Sequence, residues 1–176
     1  MHIDLVFEHE IRSDLHREIT GLRNASFPAG ALPRSYFKQL PHFRILAFEE
    51  DVLVGHLGVD HRVMNFAGNP LRVFGAIDVC VAASHRRKGI GSEMISCLEE
   101  EARKSEADLL LLIADDHRVY RKAGFELLKA ECEWLAIDDH KNHGLLQESL
   151  DGELLIKPLR PELVPAGPVD FLGYLY

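Results

Sequence analysis

One stretch constrains this chain more than any other: Asp78-Val79-Cys80-Val81-Ala82-Ala83-Ser84-His85-Arg86-Arg87-Lys88-Gly89-Ile90-Gly91-Ser92. It begins as an apolar run with β-branched residues, which predicts a buried strand. It ends in a basic, glycine-containing turn that opens directly into an amphipathic helical pattern. A strand feeding such a turn leaves several backbone N–H groups unpaired at the helix N-terminus, aimed at one point. The helix dipole and the charges of Arg86, Arg87 and Lys88 add positive potential there, so the point should hold a phosphate. Gly89 and Gly91 carry no Cβ, which lets backbone and ligand approach closely. The expected ligand is a diphosphate.

The 176 residues, 47% apolar and 27% charged, fit one soluble globular domain over 1–176 with room for a substantial core. The start, Met1-His2-Ile3-Asp4, has neither a basic flank nor a long apolar run, so no signal peptide is expected. No apolar stretch approaches the length of a membrane span. Cys80, Cys97 and Cys132 follow no disulfide or zinc spacing and read as reduced thiols of a cytoplasmic protein. The net charge of −8 disfavours nucleic acid and anionic membranes as partners and is compatible with a cationic substrate.

Along the chain, Ile11, Leu15, Ile19 and Leu22 recur at helical spacing within 8–25, and Phe27 to Pro33 breaks the pattern. A short helix is expected over 35–40. Residues 45–48 and 52–59 read as strands joined by the acidic turn Glu49-Glu50-Asp51. A second pair, 61–67 and 71–81, flanks Gly68-Asn69-Pro70. His56 lies between Gly55 and Gly58, a sign of crowding by another element or a ligand. It reads either as a core histidine bonded to a backbone carbonyl or as a catalytic group. Residues 89–104 form an amphipathic helix with Ile90, Met94, Ile95, Leu98 and Ala102 on its apolar face, and Glu99/Arg103 and Glu100/Lys104 as i, i+4 pairs. The run Leu109 to Ile113 predicts a strand buried on both faces. Strand, crossover helix and strand make a parallel βαβ core. Asp115 or Asp116 caps a short helix through Tyr120. The last fifty residues hold strand candidates at 133–137 and 153–157, separated by a polar loop, 138–143. There His140 and His143 have nothing rigid to set a metal geometry, so no metal is expected. The Pro-rich, aromatic tail, 158–176, is expected to close over a substrate groove or to bury itself in a subunit interface, the second of which would make a homodimer.

Arg86-x-x-Gly89-x-Gly91 after Val79-x-Val81, with Tyr120-Arg121-Lys122-Ala123-Gly124-Phe125 further on, resembles the acetyl-CoA pyrophosphate loop and tyrosine block of the GNAT superfamily of N-acetyltransferases. The resemblance implies an α/β (α+β) fold. It has a mixed, mainly antiparallel twisted sheet, a central parallel βαβ core and flanking helices. It also implies acetyl-CoA as acyl-donor cosubstrate, contacted by Val79, Cys80, Val81, Arg86, Arg87, Lys88, Gly89, Ile90, Gly91 and Ser92. In such folds the pantetheine arm enters where the fourth and fifth strands splay. The helices before the sheet line an acceptor groove, here with Tyr36, Phe37, His42 and Phe43. Gly55-His56 through Arg62, Gly68-Asn69-Pro70-Leu71-Arg72 and Pro165-Ala166-Gly167 are similar to the branch that holds the aminoglycoside 2′-N-acetyltransferases and nodulation acyltransferases. Val164 stands where that branch has tryptophan. Its acidic residue on the fourth strand would fall at Ile77; in the turn before Tyr120, Asp116 takes a position where the superfamily often has alanine. Asp78, the nearest carboxylate, has the opposite strand parity.

Acyl transfer needs an amine to lose a proton, a thioester carbonyl to be polarised and a departing thiolate to be protonated. Backbone N–H near Val79–Val81 can polarise the carbonyl. By resemblance Tyr120 is the general acid. His56 is a candidate base if it faces the groove, Asp78 if a bulge reverses its parity, and the terminal carboxylate at Tyr176 through water. No Ser-His-Asp frame is present and no cysteine is paired for a ping-pong route, so direct transfer in a ternary complex is expected. The acceptor read from this is the primary amine of a small cationic molecule. A protein or peptide amine, or a non-catalytic acyl-CoA sensor using the same loop, are the alternatives.

Overall fold

Hairpins start where the backbone can turn left-handed. In the computed structural model, which describes residues 1–176, Glu50 and Asp51 have φ of 49° and 63°. That is the backbone of a primed turn, whose twist matches the strands it joins. Strand β1 (His2–Phe7) pairs antiparallel with β2 (Phe43–Glu49), and β2 continues through this turn into β3 (Val52–Phe66). Ala67 and Gly68, with φ of 50° and 90°, turn β3 into β4 (Asn69–Val81). The expected break between strands at 59 and 61 is absent. Asp60 does not interrupt β3 because its buried carboxylate has a partner, His42 Nδ1 at 2.8 Å. A polar residue survives inside a ladder when its side chain is satisfied.

The chain divides into two compact units, residues 1–60 with 76–99, and residues 61–75 with 100–176. Strands β3 and β4 contribute to both. In the first unit α1 (Ser13–Ser26) follows a 3-10 turn at Glu8–Glu10, so Ile11 lies ahead of the helix rather than on it. Ile11, Ile19, Leu46 and Leu53 form a buried cluster against which Leu15 and Leu22 pack. Gly55 has the crowding its sequence neighbours suggested. A Cβ there would lie 3.0 Å from Met94 Sδ and 3.2 Å from Ile90 Cγ2, so helix α2 (Ile90–Lys104) rests directly on β3. The helix expected over 35–40 is not formed; the segment bends instead. The carbonyl of buried Ser35 accepts from Arg44 Nη1 at 2.8 Å, a partner that replaces the i+4 amide a helix would need.

In the second unit the strand order is β6 (Glu126–Leu127), β9 (Leu154–Pro158), β5 (Leu109–Ile113), β4, β3, β10 (Val169–Tyr174), β7 (Glu131–Asp138) and β8 (Lys141–Ser149). β4 runs parallel to β5, and β10 parallel to β7, while β10–β3, β5–β9, β6–β9 and β7–β8 are antiparallel. The β4–α2–β5 crossover is thus the parallel core of a mixed α/β fold. β4 and β5 pair from Val73 opposite Leu109 to Gly75 opposite Leu111. Helix α3 (Arg118–Lys122) follows β5. Lys104 of α2 pairs with Glu101 at 3.4 Å, a spacing of three rather than the expected four with Glu100. No helix is long and apolar enough to cross a membrane.

Two tail expectations change. The polar loop 138–143 is a two-residue turn at Asp139 and His140 (φ 40° and 60°), and Asn142 and His143 already belong to β8. Every residue of β8 is exposed, so no apolar alternation marks it in the sequence. The aromatic tail enters the sheet as β10, with Val169 opposite Phe66 of β3 and Cys132 of β7. Beyond it, Arg62 stacks its guanidinium over Tyr174 and Tyr176, 4.3 and 4.8 Å from the ring centroids, and donates to Tyr174 O at 2.8 Å. The hydroxyl end of the Tyr176 ring presses against Gly75, where a Cβ would fall 2.0 Å from the tyrosine Cζ. Gly75→Ala should therefore displace Tyr176 and cost about 1–3 kcal/mol, the usual range for overpacking. Thermal unfolding of Gly75→Ala, Tyr176→Ala and the double variant checks this. The two losses should be clearly non-additive, because one contact is removed twice.

Candidate functional site

The basic loop is built as the sequence predicted. β4 ends at Val81, a 3-10 turn spans Ala83–His85, and α2 opens at Ile90. Arg87 and Gly89 both have positive φ, 65° and 91°. At Gly89 a side chain would be strained whatever the space around it. At Gly91 a Cβ would meet only Val81 Cγ2, at 3.9 Å, so the glycine is not needed for packing within the protein. It leaves the helix N-terminus open to a ligand. Arg86, Arg87 and Lys88 are exposed, and Arg86 Nε donates to Val81 O at 3.1 Å. The first intrahelical bond here is Glu93 N–H to Gly89 O, so helix geometry leaves the amides of Ile90, Gly91 and Ser92 pointing out of the helix end. Glu49 holds the loop from the β2 end. It accepts from His85 Nε2 at 2.7 Å and faces Lys88 Nζ at 3.9 Å. The His85 hydrogen bond, then the Lys88 charge, keep its carboxyl below the ordinary range. The sequence marks Glu49 only as a turn residue.

Ahead of the loop, β4 carries a bulge. Gly58 lies beside the Ile77 carbonyl, at 3.5 Å from its would-be Cβ, while Ala82 N–H donates to Val54 O at 2.8 Å. From 77 to 82 is five steps along β4; from 58 to 54 is four along β3. The extra residue is Asp78, the one position in β4 with positive φ, 51°. Counting back from Ala82 by the two-residue alternation of the ladder, the N–H of Cys80 faces β3, and those of Val79 and Val81 face away from it.

Asp78 and His56 meet at this bulge. The Asp78 carboxylate accepts from Arg23 Nε at 2.7 Å, and its main-chain carbonyl lies 3.1 Å from His56 Nδ1. His56 Nε2 lies 2.9 Å from Arg44 Nη1. A guanidinium only donates, so Nε2 is the acceptor and Nδ1 carries the proton that it donates to Asp78 O. Arg44, 1% exposed, is held in turn by a two-point bond to Glu8, Nε to Oε2 at 2.6 Å and Nη2 to Oε1 at 2.9 Å. It also donates to the Ser35 hydroxyl, which lies 2.8 Å from His16 Nδ1. Arg23, also buried, donates a second bond to Gly30 O. His56 is therefore a neutral, core imidazole with both nitrogens committed, and this geometry does not suit it as a general base. Burial, and then the Arg44 charge, push its pKa down to about 3. Arg23, Arg44 and Glu8 were missed in the sequence. The available signal was a lone charge inside an apolar run, Phe43-Arg44-Ile45-Leu46.

Tyr120 is in α3, in the second unit, and packs edge-on to Phe125 with ring centroids 6.0 Å apart. Gly124, at φ 87°, ends that helix and lets Phe125 N–H return to Tyr120 O at 3.0 Å, so the Tyr-x-x-x-Gly-Phe frame is a helix-terminating motif. His117 occupies the cap position, and Asp116 instead accepts from the Arg118 amide and guanidinium. Of the residues expected along a groove, Phe43 is buried in β2, and Tyr36 and Phe37 stack against Arg34 and Arg23. Burial pushes the Cys80 thiol up to about 12 and the Cys132 thiol up to about 11, so neither offers a thiolate at neutral pH.

Two outcomes follow. The unfolded chain protonates His56 below about 6.5 and the folded chain only below about 3. Its contribution to stability is complete above 6.5 and declines as pH falls toward 3, with a limiting slope of about 1.4 kcal/mol per pH unit. Denaturant unfolding from pH 7 to 4 should show this slope reduced in His56→Asn. Glu8→Ala leaves the Arg44 charge buried without its carboxylate and should cost about 3–5 kcal/mol in the same assay.

A family model described as an acetyltransferase (GNAT) domain matches residues 9–128. No curated protein sequence matches the chain. Among solved structures it is similar to the GNAT family N-acetyltransferase YhbS from Escherichia coli in complex with CoA, at TM-score 0.66 and 14% identity over 97% of this chain and 88% of that one. It is also similar to a GNAT family acetyltransferase from Brucella melitensis in complex with acetyl-CoA, at 0.61 and 17% over 96% and 94%. An aminoglycoside 6′-N-acetyltransferase complexed with coenzyme A aligns at 0.64 and 14% over 93% and 100%. The chain spans only about a third of the length of two longer structures it also matches, 34% and 33%. With the family model matching well over half of its residues, the chain belongs to the GNAT acetyltransferases.

Proposed function

We propose that the chain is an N-acetyltransferase that moves an acetyl group from acetyl-CoA to the primary amine of a small cationic acceptor. The observation that carries this reading is the loop itself: a bulged strand, a left-handed turn at Arg87 and Gly89, and an open helix N-terminus under three exposed cations. A diphosphate fits that arrangement. The CoA and acetyl-CoA carried by the similar structures support the coenzyme. The likeness of 55–62, 68–72 and 165–167 to the aminoglycoside 2′-N-acetyltransferase branch supports a cationic acceptor.

In this reading the outward amides of Val79 and Val81 hydrogen-bond the coenzyme, and the Val79 N–H polarises the thioester carbonyl. The acceptor nitrogen bonds to the carbonyl carbon in a ternary complex, and the C–S bond breaks. The leaving thiolate takes a proton from the Tyr120 hydroxyl. With both His56 nitrogens engaged and Asp78 Oδ2 on Arg23, the amine proton passes to water. The protonated thiols of Cys80 and Cys132 favour direct transfer over a ping-pong route. The absence of a committed base also suits one alternative, an acyl-CoA sensor.

Release of free thiol from acetyl-CoA, against aminoglycosides, polyamines and short peptides, tests the reading. Arg86→Ala and Gly89→Glu should each raise the coenzyme KM by roughly 10- to 100-fold, the value of a charge-assisted contact. Tyr120→Phe should lower kcat by about 10²–10⁴ with coenzyme affinity unchanged. kcat/KM should rise with pH along the titration of the acceptor's own amine. Tight acetyl-CoA binding without turnover on any amine would favour the sensor, and turnover on peptides alone would move the acceptor to a protein amine.

A further inference from the structure

The buried network of the first unit has no catalytic task in the mechanism above, yet it ends on one peptide group. The Asp78 carbonyl and the Val79 N–H belong to the same trans peptide plane and point in opposite directions. His56 grips the carbonyl edge at 3.1 Å from the β3 side. The amide edge is thereby aimed away from β3, as the ladder alternation from Ala82 independently requires. A left-handed φ of 51° is costly for a residue other than glycine and persists only where neighbours hold it. Here Arg23 holds the Asp78 side chain and His56 holds its carbonyl.

We infer that His56 is a positioning residue: together with Arg44 and Glu8 it clamps the Asp78–Val79 peptide and so aims the Val79 N–H at the acyl carbonyl. The role of that amide rests on the proposed acetyltransferase reading; the clamp itself does not. The chain of orientation is continuous. Glu8 fixes the Arg44 guanidinium at two points, Arg44 fixes the imidazole tautomer by donating to Nε2, and that tautomer puts the proton on the nitrogen facing Asp78 O. A protonated His56 would have to turn an N–H toward a guanidinium, so the clamp operates only with a neutral ring. Every link is buried or nearly so, and none depends on an exposed side chain.

Two substitutions separate the clamp from mere packing. In His56→Asn the amide nitrogen lies two bonds from Cβ, as Nδ1 does, and can still donate to Asp78 O. In His56→Gln the amide lies one bond further, in reach of Arg44 and past the carbonyl. Acetyl transfer and hydrogen exchange over residues 76–82 are measured on wild type and both variants, alongside thermal unfolding. His56→Gln should lose about 10- to 100-fold in kcat, the effect of misaiming a reacting contact, while His56→Asn stays within a fewfold of wild type. The coenzyme KM should change little in either. Exchange at 76–82 should accelerate in His56→Gln alone. Equal kcat and equal exchange in the two variants, or losses that simply follow their melting temperatures, would overturn the clamp. If wild type itself transfers no acetyl group, the catalytic reading fails, and the exchange pattern still decides whether His56 holds this peptide.

Discussion

Of the two buried arginines of the first unit, Arg44 holds the most segments together. Arg44 is the second residue of β2, between Phe43 and Ile45, and a guanidinium taken out of water must be neutralised and hydrogen-bonded on several sides. Glu8 neutralises it, which ties the end of β1 to β2. The Ser35 carbonyl and hydroxyl accept from it, which holds the 31–41 segment as bends rather than a helix. His56 accepts its last proton and carries the constraint into β3 and on to the bulge of β4. Four segments distant in sequence are thus set by the donor pattern of one side chain. An apolar residue of similar volume would fill the space without imposing any of those directions.

The exposed loop follows a different logic. Arg86, Arg87 and Lys88 are exposed to water, so their charge costs little desolvation and is accessible to an anion. What the fold must provide there is backbone shape, and Gly89 supplies it through a conformation that side chains resist. Rigid geometry comes from buried polar groups behind the bulge, and attraction comes from solvated charges ahead of the helix. That division keeps the high-penalty ions few and paired, while the loop's cations stay in water.

The second unit shows how a sheet absorbs a segment that looks like an appendage. Val169–Tyr174 inserts between β3 and β7, antiparallel to one and parallel to the other, and buries Val169 and Phe171. Gly75 accepts the Tyr176 ring on its bare backbone, and Arg62 stacks on the two tyrosines. An aromatic ring can approach strand backbone this closely only where a side chain is missing, so a glycine in β4 and an aromatic residue a hundred positions later form one packing unit.

Much of this was legible locally. The run Leu109 to Ile113, the apolar face of 90–104 and the Val79–Ser92 strand-turn-helix are encoded by periodicity and glycine placement, which act over a few residues. The same local signals carried the proposed coenzyme loop and the βαβ core. Strand β8 was not legible, because with no buried face there is no alternation to read. The tail's place in the sheet, the bulge at Asp78 and the tautomer of His56 were decided only by tertiary structure. Each depends on a partner twelve or more residues away: Phe66 and Cys132 for Val169, Val54 for Ala82, Arg44 for His56. Periodicity determines which face of an element is apolar; which hydrogen-bond donor finds which acceptor is settled when the chain closes on itself.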